Sequence, residues 1–172
     1  MSKPRHVLPS VAVLFAVLAS SIACGSSTSP SGSGGIGTGN GGNSTVMTAT
    51  IDGTSFTATS ATALIRNNIL AVSGAVGSGT NITTLAFATT AVIGTNRIAP
   101  GTGVNANYQA VSGTSGSGWL ASDSQGSGTV TINTLTSSRT SGTFTFTLAP
   151  VSGDAAGPKN ILAGTFDLPL TQ

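Results

Sequence analysis

Glutamate is absent from this 172-residue chain, which has one histidine, one cysteine, one tryptophan and one tyrosine. Each scarcity excludes a class of chemistry. His6 lies at the extreme N-terminus, in a stretch with the features of a cleaved signal, so the rest of the chain holds no histidine. Without histidine there is no Ser-His-Asp or Cys-His catalysis and no His-liganded zinc or copper site. A single cysteine, Cys24, excludes an internal disulfide framework. Charge is equally sparse. Lys3 and Arg5 belong to the signal, and beyond it Arg66, Arg97, Arg139 and Lys159 balance Asp52, Asp123, Asp154 and Asp167. The basic pI therefore comes from the signal. A neutral chain with scattered charges has no electrostatic footprint for nucleic acid or an acidic membrane surface. No apolar run reaches the roughly 20 residues of a membrane span. The longest, Val7–Ala19, is interrupted by Pro9, so the mature chain is not expected to cross a membrane.

What is present first is a three-part export signal over residues 1–23. Lys3, Arg5 and His6 form a positive start, Val7–Ala19 is the apolar middle, and small residues lead to Ala23. Ser21-Ile22-Ala23-Cys24 then resembles the lipobox of bacterial lipoproteins, which ends in a small residue followed by cysteine. Ser21 departs from the leucine usual three positions before the cysteine, and Ser21-Ile22-Ala23 also fits an ordinary cleavage site. The resemblance implies cleavage before Cys24 and acylation of its thiol. The alternative is simple secretion, which would leave a lone exposed thiol in an oxidising compartment. Residues 24–45 then form a lipid-anchored linker. Gly25–Thr45 is Gly, Ser, Thr and Asn with one Ser-Pro-Ser and a lone Ile36, a composition that cannot bury enough to order itself. A random coil of that length spans roughly 25 Å, from about 5–6 Å × √n.

Residues 46–172 are expected to form one all-β domain. Thr is abundant, β-branched and aromatic residues recur in short runs, and no long segment has helical periodicity. Asp52-Gly53 is a type I′ turn dipeptide. It predicts pairing of Ile51 with Thr54, Ala49 with Phe56 and Met47 with Ala58, with all the apolar residues on one face. Asn67-Asn68 predicts a second hairpin, Ile65 facing Leu70 and Ala63 facing Val72, with Leu64 and Ile69 making its other face apolar as well; a short helix over Ala61–Arg66 is the alternative. Further strands are expected over Asn81–Thr90, Ala91–Ala99, Val104–Val111 and Trp119–Asp123, with Ser112–Gly118 as a loop. Val130 and Ile132 alternate with Thr, and Leu135 falls out of phase, which predicts a bulge near Asn133-Thr134 or a strand end there. Phe144, Phe146 and Leu148 alternate with Thr, and Leu162, Phe166, Leu168 and Leu170 share a parity. Turn signals every eight to twelve residues, with no helical crossover, indicate an antiparallel β-sandwich of roughly eight to ten strands, with a closed β-barrel as the alternative. The opening Thr48–Ala58 and the closing Gly164–Leu168 are similar to segments of uncharacterised bacterial envelope lipoproteins, a resemblance that implies no catalytic residue.

The search for chemistry leaves little. Paired-carboxylate hydrolysis would need two of the four aspartates across a cleft, yet Asp52 serves a turn, Asp123 and Asp154 fall in loops, and Asp167 sits on the polar face of a strand. A Ser-Lys dyad would need a desolvated lysine, whereas Lys159 follows Gly157-Pro158 in a stretch with the look of an exposed loop. Asp123-Ser124-Gln125 and Asp154 match no calcium loop, and no metal or other cofactor is expected. Arg66, Arg97 and Arg139 fit solvated turn or edge charges. Trp119 and Tyr108 are the aromatics with polar handles. They form either part of the core or a platform on which a sugar or lipid would stack. The expectation is a non-enzymatic envelope lipoprotein, held by a lipid on Cys24 at the outer membrane or cell surface rather than the inner membrane. It would present a structural or interaction module. A carbohydrate- or lipid-binding module using Trp119 and Tyr108 is the alternative.

Overall fold

Asp52 and Gly53 both take positive φ, 46° and 83°, the geometry of a type I′ turn. They join β1 (Val46–Ile51) to β2 (Thr54–Thr57) in the expected register, Ile51 opposite Thr54 and Ala49 opposite Phe56. The computed structural model describes residues 45–171; the signal, Cys24 and the rest of the Gly/Ser tether lie outside the described residues. The second hairpin, β3 (Ser60–Arg66) and β4 (Ile69–Ser78), turns on Asn67 and Asn68 with φ of 50° and 61°. Its register is also as expected, and no helix forms at Ala61–Arg66. Leu64 and Ile69, however, are exposed, so this hairpin is covered on one face only.

The chain continues through β5 (Asn81–Thr90), β6 (Gly94–Arg97), β7 (Asn105–Ser112), β8 (Ser115–Ala121), β9 (Ser127–Leu135), β10 (Arg139–Gly153) and β11 (Lys159–Thr171). The described residues form an eleven-stranded, mostly antiparallel sheet with no helix. Strands β3-β4-β5-β7-β8 make one layer and β2-β1-β11-β10-β9-β6 the other. The two long strands belong to both. β10 pairs with β11 and β9 as far as Thr147 and Leu148, and from Ala149 to Gly153 it pairs with β8 across a bulge at Val151. β11 pairs with β10 and β1, and its end runs parallel to β3 through Leu170 and Thr171. A ring of seven strands, β11-β3-β4-β5-β7-β8-β10, is thereby closed. The sandwich and the barrel are two descriptions of one molecule: layers that face each other, joined at both corners by shared strands.

The interior is where the parities meet. Phe87 of β5 lies with its ring centroid 5.2, 5.8 and 5.5 Å from those of Phe144, Phe146 and Phe166 in the opposite layer. Three of these rings lie over glycines. Phe144 pairs across strands with Gly164, Phe166 with Gly142, and Phe146 with Gly128. Outside, one row of threonines crosses the second layer from strand to strand: Thr57, Thr48, Thr165, Thr143, Thr131 and Thr95. Such cross-strand Thr pairs each add about 0.2–1 kcal/mol.

Two bulges decide which side chains enter the core. Asn133 is the extra residue in β9 against β10, where the phase break at Leu135 predicts it. In β11 the extra residue is Ala163, with φ of 48°. That bulge corrects the parity expected for the last strand: Leu162 points out and Ile161 points in. Ser115–Gly118 is strand and not loop, because β7 supplies a full ladder of backbone partners to a segment with little β-propensity of its own.

Candidate functional site

The Asp52-Gly53 turn does more than connect two strands. Asp52 donates its N–H to the Asn160 carbonyl and accepts the Asn160 N–H on Oδ1, both at 2.9 Å. Its Oδ2 lies 2.9 Å from Lys159 Nζ. The Asn160 amide and then the Lys159 ammonium hold the Asp52 carboxyl below the usual carboxylate range. Lys159 opens β11 and is not a loop residue. Its ammonium sits 4.5 Å from the Trp119 ring centroid and 5.7 Å from that of Tyr108, within cation–π range of both.

Tyr108 and Trp119 are cross-strand partners on β7 and β8, and their centroids are 5.5 Å apart. The sequence names both residues, and the structure brings them together. It does not display them as a matched pair. Trp119 is only 7% exposed and its Nε1 donates to the Gly157 carbonyl at 3.0 Å. Tyr108 is half-buried and reaches the mouth of the ring. A cavity of about 300 Å³ opens there, walled by Ile51, Asp52, Thr54, Ser55 and Phe56 of the first hairpin, by Val76, Thr83 and Tyr108 of the facing layer, and by Lys159. Lys159 is the residue that sequence reasoning misplaced. The single available signal was its position at the start of an apolar-alternating strand, which Gly157-Pro158 masked.

The remaining ionisable groups lie elsewhere. Arg139 Nε is 2.6 Å from Asp167 Oδ1 across β10 and β11, so Arg139 is an ion-paired strand residue and not only a solvated charge. Asp123 Oδ2 accepts the Gly101 N–H at 3.0 Å. Arg97 lies on β6, the strand that ends the second layer beside β9. Among the described residues there is no group of three or more His, Cys, Asp or Glu side chains able to hold a metal ion. A second hollow of about 290 Å³, between Gln109, Val111, Gly116, Ser117, Ser152 and Gly153, brings together no charged side chain. Residues 43–166 match a family model described as a domain of unknown function, DUF6252. No curated protein and no solved structure matches the chain.

Proposed function

The chain belongs to the DUF6252 family, whose description carries no activity, and from its own residues we propose that it is a non-enzymatic lipoprotein of the cell envelope. It presents the β-ring as a structural or interaction module at the end of a Gly/Ser tether, with Cys24 acylated at the outer membrane or cell surface. The observation that carries this reading is the order of parts. A basic start and an apolar run lead to small residues before Cys24, about twenty residues without core-forming pattern follow, and strand pairing begins at Val46. The use of the carboxylates in the first turn and on β11 supports a non-catalytic role. Asp52 and Asp167 are each held by a cation and serve to join β11 to its neighbours.

The test is an intact-mass spectrum of the protein extracted from envelopes. The expected species begins at Cys24 and carries a diacyl- or triacyl-glyceryl mass. An unmodified chain beginning at Cys24 would overturn the anchor and make the protein a secreted one.

A further inference from the structure

We propose that the mouth of the ring beside Lys159 is a saccharide site that takes one neutral pyranose unit. Side chains of inward parity fill the ring with Leu70, Val72, Leu85 and Phe87. Towards this mouth the same parity continues as Val76, Thr83 and Tyr108, so the wall changes from mainly apolar to mixed. Ile51 and Phe56 close the opposite side. Among the described residues, the structure gives the hydroxyls of Thr54, Thr83 and Tyr108 no hydrogen-bond partner. The Asp52 side chain is 39% exposed, and each of its oxygens has one partner in the protein. A carboxylate has about four lone-pair sites, so acceptor capacity is left over.

This set matches a sugar ring better than other ligands. A pyranose has an apolar C–H face and a rim of hydroxyls that both donate and accept. The apolar face fits against Tyr108, Phe56 and Ile51, and the rim meets three hydroxyls and a carboxylate. A volume of about 300 Å³ lies at the low end of ligand pockets, enough for one ring and too small for a long acyl chain. An anion is disfavoured because Asp52 already neutralises Lys159 at 2.9 Å. The cavity lies at the Asp52 end of β1, and the chain enters the domain at the other end, Thr45. The proposal does not depend on acylation of Cys24, and its test reads binding alone.

Trp119, the one tryptophan in the chain, reports on the site because Lys159 touches both. Full-length protein in detergent is titrated with glucose, galactose and N-acetylglucosamine while Trp119 fluorescence is followed. The expected result is a saturable change with at least one of them. Tyr108→Phe and Thr83→Val, which keep shape and remove one hydroxyl each, are expected to weaken it about three- to tenfold at unchanged melting temperature. Should either variant lose stability, Thr54→Val on the exposed β2 strand gives the same reading. No saturable response to any of the three sugars overturns the proposal. So does saturation by dodecanoate alone, or sugar affinity that none of these substitutions alters.

Discussion

At the residue scale, Lys159 shows how one side chain gains meaning from its neighbours. Two aromatic faces and a carboxylate share its charge. Asp52 does the reciprocal work: its backbone makes the turn, and its side chain ties that turn to β11. This has a pH signature. The folded carboxyl titrates below its ordinary range, so its stabilisation is fully present above the unfolded pKa and is lost as pH falls through the folded one. Asp52→Asn isolates the charge, because asparagine tolerates the positive φ of this turn. At neutral pH the variant is expected to be less stable by up to about 1 kcal/mol, a figure kept small by the exposure of the pair. In urea titrations repeated at falling pH, the gap should close below the ordinary aspartate range. A gap independent of pH would show that the carboxylate charge contributes nothing.

At the scale of elements, the glycines of β9, β10 and β11 are packing residues. A Cβ on Gly164 would lie 2.3 Å from the Phe144 ring, and one on Gly142 would lie 2.1 Å from the Thr131 carbonyl. The bare backbone opposite each phenylalanine lets the ring lie flat over the neighbouring strand, a form of cross-strand cover for glycine. Phe144 cannot swing aside, because Phe87 and Phe146 already pack against it. Gly164→Ala is expected to cost about 1–3 kcal/mol, the usual price of overpacking a core. Gly116→Ala, where the nearest atom to an added Cβ is 3.8 Å away, is expected to stay within about 0.5 kcal/mol. Thermal unfolding of the two variants side by side checks the contrast. Equal effects would mean that a general loss of glycine freedom, and not the Phe144 contact, decides the outcome.

At the scale of the whole molecule, closure through β10 and β11 sets where stability resides. Phe144–Leu148 and Ile161–Asp167 lie in strands with hydrogen-bonded neighbours on both sides, whereas β2 and β6 end the sheet and have one neighbour each. Amide hydrogen exchange is therefore expected to be slowest in those two segments and fastest in β2 and β6, since edge strands open without disrupting the ring. Exchange in β11 as fast as in β2 would argue against closure. The same closure accounts for the cavity. Its walls come from the first hairpin, from three strands of the facing layer and from the first residue of β11, and only the ring's mouth brings these together.

Local chemistry determined the all-β class, both tight hairpins with their registers and the Asn133 bulge, because turn dipeptides and period-two alternation act over a few residues. The burial of Phe144, Phe146, Phe166 and Leu168 followed from the same alternation. The tertiary structure alone decided three things. The Ala163 bulge reversed Leu162 and Ile161, since an extra residue in the left-handed region leaves no mark in hydropathy. Ring closure depended on strands far apart in sequence, whose meeting is fixed by twist and by bends in β10 and β11 and not by composition. The Asp52–Lys159 clasp joins residues more than a hundred positions apart, and it exists only once β11 has paired beside β1.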